Sequence, residues 1–526
     1  MSLKNSKAWL YFHTLKHMKW SQIYYRVTKM AGFECGLGCN ANVDTESVHA
    51  IKPVIELDFD PHFLSRFQIS ELMKDYLSFL HSGAVMDWNG AWEFKDKSPL
   101  WNFNLHYFEY LFPLLSEYRK VKDPSYLEKA VFMIKSWIVY NPQEKKGPGW
   151  APYTIDLRLS NWLSFYSLAE NDLTEECRTL MRKSIAEQYI FLSRHVEKDI
   201  LGNHYLEDLK ALILCAIFFE DRSMLETAYS ALLKECKEEI LEDGVHFELS
   251  PMYHNIILED LLKIYVALVE YHYPAEGLKK HIQLMLDAAW SMGESLNRLP
   301  LFNDCGNNVA KSLSSIVEAS ANHLGISPVY KSSFPVAGLY IFKRGKWKLI
   351  VDAGQPGPTY IPGHAHCDAL SYELYKDGKP VITNCGTYAY QSDFRSQFRS
   401  TAYHNTMMIN GMEQSQCWGA FRMAKRSSVR VLDVDENTIR AEIKDYVGQK
   451  CVRTIQLSND LNVVDRSQGH TITGFIHLLD NMPVQYSCDE KKTVKQLYAP
   501  EYGQYSEINA IAYSGKKRIS VSIKLD

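Results

Sequence analysis

The sequence predicts a protein of two unlike halves, a stack of helices followed by an antiparallel β-sandwich. Between about Trp101 and Leu324 apolar residues recur at helical spacing in segment after segment. From Gly338 onward, short apolar runs alternate with polar residues and turn signals separate them. The chain of 526 residues is also longer than one core can organise, so two or more domains are expected.

The helical segments are expected at 106–118, 126–140, 157–169, 175–195, 205–219, 224–241, 255–271 and 278–296. Breakers separate them, among them Asp123-Pro124, Asn141-Pro142, Gly202, Asp243-Gly244 and Pro274. Successive helices with short connections suit an α-solenoid or a closed toroid, and periodicity alone does not choose. The character changes near Gly325 to Pro335. Strands are then expected at 339–342, 347–351, 370–374, 381–383, 406–409, 428–432, 451–457 and 461–464, with a last one at 518–525. Turns such as Asp377-Gly378 and Asn410-Gly411 favour antiparallel connections. The expected division is 1–100 as a helical arm and lead-in, 101–330 as the helical domain, and 331–526 as the β-sandwich.

Composition excludes several classes. Hydrophobic residues at 46% and charged residues at 23% suit a soluble globular chain, and a net charge of −4 gives no nucleic-acid signature. The 11 cysteines are scattered, with no disulfide or zinc-ribbon spacing, which favours a reducing compartment. From Trp9 to Lys29, His13, Lys16, His17, Lys19 and Arg26 interrupt the apolar residues, so no signal-peptide core forms. A cytoplasmic protein is therefore expected, or a periplasmic one if Met1-Ser2-Leu3 stand in place of a leader. The same segment is basic, and the first acidic residue of the chain is Glu34. It reads as a helix packed on the body or as one in peripheral contact with a membrane.

Several stretches concentrate chemistry. In HAHCDALS, His364 to Ser371, two imidazoles and a carboxylate (His364, His366, Asp368) share one parity. On a strand they would share one face and suit metal binding or proton transfer. Gly202-Asn203-His204-Tyr205 opens an apolar helix, where Asn203 is either an N-cap or a hydrogen-bond donor into a cleft. DGVHFELSPMYHN, from Asp243, gathers His246, Glu248, Tyr253 and His254 ahead of another helix. Trp101, Asn104 and His106, with Trp150 and Arg158 later, could line a sugar groove or fill a helix interior. Asn384 and His404, the latter five residues after Arg399, lie in two further segments that could converge with His366.

Six segments together resemble the heparinase II/III-like polysaccharide lyases, a family that includes alginate and oligoalginate lyases. They are WNFNLHYFEYL from Trp101, GNHYLEDLKAL from Gly202, DGVHFELSPMYH from Asp243, GHAHCDALSYEL from Gly363, NCGTYAY from Asn384 and YHNTMMINGMEQ from Tyr403. The resemblance implies an α/α toroid joined to an antiparallel β-sandwich, with the active site between them. It implies β-elimination on an acidic polysaccharide or oligosaccharide containing uronic acid. That reaction needs a neutralised carboxylate, a base for the C5 proton and an acid for the leaving O4.

Residue by residue, the resemblance makes Asn203 the carboxylate neutraliser, with His204 beside it. Tyr253 is a catalytic tyrosine acting as base, acid or both, and His364 is the histidine from the β domain. Trp101, Asn104, His106, Trp150, Arg158, Glu248 and Arg399 are the expected substrate-binding residues. His366 and His404 resemble two ligands of a structural divalent metal, commonly zinc, and no organic cofactor is implied. Asn384 stands where the family often has an aspartate ligand, and an amide is a poorer zinc ligand than a carboxylate. Either a metal with a weak third ligand or a metal-free hydrogen-bond network follows. Two other classes stay open: a glycan-binding or assembly protein on the same scaffold, and a non-haem iron oxygenase using His366, Asp368 and His404.

Overall fold

The computed structural model describes residues 6–90, 92–143, 147–480 and 482–525. Helices fill the region up to Leu324, and strands dominate from Ser333 onward. Local signals start the helices where they begin. Ser98, Asp123, Thr174, Asp221, Ser250 and Ser312 each accept a first-turn backbone N–H, and Pro99, Pro124 and Pro251 follow three of these caps.

The helices form two layers. Pro152–Ala169, Asn203–Phe218 and Pro251–Glu270 pack side by side in sequence. Glu175–Arg194, Arg222–Glu239 and Glu276–Gly293 lie outside and between them. This is the α/α toroid arrangement. The sequence already marks the layers: every residue from Tyr205 to Phe218 is buried, as expected for an inner helix, whereas the outer helices are apolar on one stripe.

One expected helix is divided. The chain helical at 106–118 in the sequence reading is Pro99–Tyr107 followed by Leu111–Val121, because Phe108 takes a left-handed conformation at φ 65°. A short hairpin, Tyr76–Phe79 with Ser82–Val85, precedes them.

Among the described residues the β region is a curled antiparallel sheet of 13 strands, with a separate two-stranded ribbon of Cys417–Trp418 and Arg422–Met423. Its main path runs Ser428–Val434, Thr438–Lys444, Lys450–Leu457, Asp460–Leu478, Lys379–Ile382, Tyr372–Lys376, Trp347–Asp352, Leu339–Arg344 and Ser333–Phe334. The 19-residue strand Asp460–Leu478 also pairs with Gln504–Lys524 and Met407–Ile409, and its register shifts between Arg466 and Thr471. That irregularity lets one strand serve both layers. Leu349, Tyr372 and Leu374 from one side meet Ile455, Val463 and Ile519 from the other in a single apolar core, so the curled sheet closes into a sandwich.

HAHCDALS is not a strand. The alternation expected from residue 370 begins only at Tyr372, and residues 361–371 form a loop over the sheet's end, with Leu370 at φ 61°. His364, His366 and Asp368 therefore do not share a face. Arg399 holds this loop, donating to the carbonyls of Pro362 and Ala365 on one side and to those of Gly419, Ala420 and Arg422 on the other.

Candidate active site

A cleft of about 1270 Å³ runs between the two halves and takes residues from both. Asn203, His204, Glu248 and Tyr253 reach it from the helical half, and His364 and Tyr390 from the β half. Gly202 explains how Asn203 arrives there. It sits at φ 62° and ψ −145°, a conformation that favours glycine, and takes the N-cap position itself. Asn203 is thus the first helical residue and not the cap, and its amide is released from capping. The Asn203 Nδ2 group lies 3.3 Å from Glu248 Oε2 and 3.3 Å from His364 Nε2.

The hydrogen bonds fix the tautomer of His364. Its Nε2 faces the Asn203 donor, so Nε2 is the acceptor, and Nδ1 donates to Asp304 Oδ2 at 3.0 Å. An unprotonated imidazole nitrogen is therefore presented at the Asn203 amide, with a carboxylate behind the ring. Asp304 also accepts from His366 Nε2 at 2.8 Å and from Thr387 Oγ1 at 3.1 Å. The Arg395 guanidinium bridges both of its oxygens. Burial alone would raise the Asp304 carboxyl, but Arg395, and then His366 and His364, hold it well below the usual range.

Tyr253 packs against His364 with the rings tilted at 35° and their centroids 4.1 Å apart. Its hydroxyl is 2.6 Å from that of Tyr390, which is 2.7 Å from that of Tyr502. Burial, with Tyr390 and nearby carboxylates adding to it, pushes the Tyr253 hydroxyl well above its ordinary value, so it rests protonated. His204 contacts Glu197 Oε2 through Nδ1 at 2.8 Å and packs on Tyr153. Burial favours neutral His204, but the Glu197 carboxylate outweighs it and raises the pKa above the ordinary 6.5.

The remaining expected residues divide. Trp101 and Asn104 line the cleft, although Trp101 is buried and donates to Ser82 O, and Asn104 donates to Leu100 O. His106, Trp150 and Arg158 do not line it. Arg158 stacks on Trp137 and bonds Gln188, His106 O and Gly149 O. His106 accepts from Trp137, and Trp150 donates to Asn141 O. These groups occupy the helical interior because their polar atoms find partners there. Arg399 is likewise a loop clamp and not a cleft residue. His246 and His254 are buried and bond each other's neighbourhood, His254 Nδ1 accepting from His246 N.

The expected metal ligands are only partly assembled. His366 Nδ1 and His404 Nε2 lie 3.1 Å apart, while His404 Nδ1 donates to Ser400 O at 2.8 Å. With His366 Nε2 engaged by Asp304, both rings turn a lone pair toward the same point. Burial drives both toward neutrality, His366 down to about 4 and His404 down to about 3. Asn384 is not part of this pair: its oxygen accepts from Asn405 N, and its Nδ2 donates to Ser371 Oγ. Asp368 accepts from Asn303 N and stays apart. Among the described residues no three His, Cys, Asp or Glu side chains converge to hold a metal, so the iron-oxygenase triad of His366, Asp368 and His404 is not formed.

Asp304, Tyr390, Tyr502 and Arg395 are the participants the sequence reading missed. Tyr390 closes the NCGTYAY segment, and Arg395 lies four residues before Arg399. Asp304 lies in LFNDCGNN, between the last two long helices, where no spacing rule marks it.

Comparison with known proteins agrees with this architecture. Residues 38–324 match the model of the heparinase II/III N-terminus, and residues 328–481 match that of the heparinase II/III-like C-terminal domain. A heparin-sulfate lyase of Pedobacter heparinus is 24% identical over 366 residues, covering 62% of this chain and 54% of that protein. One of Bacteroides thetaiotaomicron is 24% identical over 403 residues, covering 65% and 57%. The chain thus spans little more than half the length of these curated relatives. The crystal structure of heparinase III superposes with a TM-score of 0.69 at 17% identity, covering 95% of this chain and 88% of that one. A heparan sulfate lyase mutant from Pedobacter heparinus gives 0.58 at 18% identity, covering 96% and 88%.

Proposed function

Because the chain belongs to the heparinase II/III family, we propose that it is a polysaccharide lyase. It cleaves an acidic, uronic-acid-containing glycan by β-elimination and leaves an unsaturated uronate end. The observation that supports this most is the meeting of Asn203, His364 and Tyr253 across the cleft.

Each group has a task set by its state. Asn203 Nδ2 donates to the uronate carboxylate, lowering the cost of charge that builds there as the C5 proton leaves. Glu248 orients that amide. His364 Nε2 takes the C5 proton, and Asp304, already ionised, stabilises the resulting imidazolium. Tyr253, protonated at rest, gives its proton to the departing O4. Its hydroxyl contact with Tyr390 offers a route for reprotonation. His204, held toward its cationic form by Glu197, adds positive charge beside the carboxylate.

His366 Nδ1 and His404 Nε2 would hold a divalent metal, a reading supported by their converging lone pairs. Such an ion would tie the loop that carries His364 to the segment that carries His404. Asn384 supplies no ligand in this arrangement. Metal analysis, and thermal unfolding with and without chelator, test this. Bound metal and a chelator-sensitive melt are expected, and both should be lost in His404→Ala.

The function is tested by incubating the protein with a panel of uronate polysaccharides and following ultraviolet absorbance of the unsaturated product. At least one polymer should yield it, and Tyr253→Phe and His364→Ala should each reduce the rate at least about a hundredfold. A folded protein that binds such glycans and yields no product would instead be a glycan-binding protein.

A further inference from the structure

The first two helices expose much of their apolar surface. Lys7–Leu15 and Trp20–Met30 lie across both halves of the molecule, tied to the body by hydrogen bonds and ion pairs and by the edge-on packing of Tyr11 against Trp418. Gln22 donates to Ile200 O, Arg26 and Lys29 reach Asp199, and Lys19 pairs with Glu238. On the β side, Trp418 donates to Thr14 Oγ1. No residue from 7 to 33 joins any of the apolar cores.

Trp9, Leu10, Ile23 and Tyr25 are half-buried, but many of the other apolar residues point outward. Ala8, Tyr11, Phe12 and Leu15 recur at helical spacing on the first helix, as do Trp20, Tyr24 and Val27 on the second, and all are exposed. Trp20 is 85% exposed, Tyr24 65% and Phe12 63%. Of the 22 exposed large hydrophobic residues among the described residues, 8 fall between Tyr11 and Phe33, so this is a concentrated patch and not scatter.

Charge identifies what the patch would meet. The first 33 residues of this net-acidic chain carry six Lys or Arg and no Asp or Glu. On the first helix, Lys7 and Lys16 flank the apolar stripe on either side, and both are exposed. An aromatic and aliphatic stripe edged by cations suits the boundary between acyl chains and anionic headgroups. A protein partner would need neither the cationic edge nor the absence of carboxylates. No described helix is long and apolar enough to cross a membrane, so the contact is a surface one.

We infer that the outward face of these two helices docks the protein on an anionic lipid surface. Phe12, Trp20 and Tyr24 enter the interface, and Lys7 and Lys16 meet the headgroups. Tyr11 and Leu15 belong to the same face and also line the cleft, so the docked surface adjoins the cleft mouth. A glycan still attached to a membrane component would be presented there. The docking itself does not depend on the reaction proposed above.

The test is co-sedimentation of the full chain with phosphatidylcholine vesicles, with and without phosphatidylglycerol. The variant Phe12→Ser/Trp20→Ser/Tyr24→Ser removes apolar groups that make no core contact and do not line the cleft. An unchanged melting temperature would show that it folds. The parent should sediment with the anionic vesicles and at least tenfold less with neutral ones, and added salt should weaken binding. The triple variant should lose at least tenfold in partitioning. A blue shift of tryptophan emission on vesicle addition should be smaller in Trp20→Phe. Absence of sedimentation, equal binding to neutral vesicles or retention by the triple variant would overturn the inference. Self-association of the parent that the variant abolishes would also overturn it, and would assign the face to a second copy.

Discussion

Asn203 shows how one dihedral pair decides a residue's function. Had Asn203 been the N-cap, its amide would serve the helix. Gly202 takes that place instead, and a Cβ there would stand 2.6 Å from Ile361 Cδ1 and 2.9 Å from Glu248 Oε1. Gly202→Ala should therefore cost at least about 1 kcal/mol in denaturant titration and lower kcat by disturbing Glu248 and Asn203. Asn203→Ala should lower kcat about 10²–10³-fold while the protein melts normally, since the lost donor acts on charge that develops in the transition state. His204 makes a pH prediction. Its folded pKa is raised, so its ion pair with Glu197 contributes fully below the unfolded value of about 6.5 and is lost as pH rises through the folded value. Uronate binding should weaken over the same rise, and titration of binding against pH should be flatter in His204→Gln.

At the scale of elements, the sequence was most informative where burial was one-sided or complete. The apolar run Ala211–Phe218 and the alternating Lys450–Leu457 needed no tertiary information, whereas the burial of Glu207, Asp208 and Lys210 in the turns before that run was not legible. It was least informative in irregular segments. HAHCDALS has the parity of a strand, but its polar groups are satisfied by Asp304, Asn303 and the Arg399 clamp, and so a loop is stable there. Arg158, His106 and Trp150 carry the chemistry of a sugar groove and are held in a helix interior, because buried donors with good acceptors are tolerated. Asp304 was invisible because its importance arises from contacts 60 residues or more away in sequence. Arg399→Ala should cost on the order of 3 kcal/mol in unfolding free energy, since several charge-assisted bonds to loop carbonyls are lost together, and it should lower activity through His364.

At the scale of the molecule, Asp304 is a buried charged centre among the bonds that join the halves, with Arg298–Thr383, Leu301–Glu373 and Asn303–Asp368 around it. It belongs to the helical side of the chain, and it holds His364, His366 and Arg395 from the β side. Removing its charge leaves Arg395 buried without its partner. Asp304→Asn should therefore destabilise the protein by roughly 3–5 kcal/mol and split calorimetric unfolding into separate transitions for the two halves. Because the Asp304 pKa is depressed, its contribution stands above the unfolded carboxyl value of about 3.9 and is lost as pH falls toward the folded value. The catalytic assignment depends on this bond as well, for it orients the imidazole that Asn203 faces.

That assignment gives His364 and Tyr253 separable tasks. Solvent deuterium exchange at C5 of an uncleaved uronate oligosaccharide substrate, followed by nuclear magnetic resonance, isolates the first of them. In Tyr253→Phe, C5 should exchange with deuterium oxide while the glycosidic bond stays intact, because the base remains and the acid is gone. In His364→Ala neither exchange nor cleavage should occur. Exchange that persists in His364→Ala, or vanishes in Tyr253→Phe, would contradict the account and assign proton abstraction to the tyrosine.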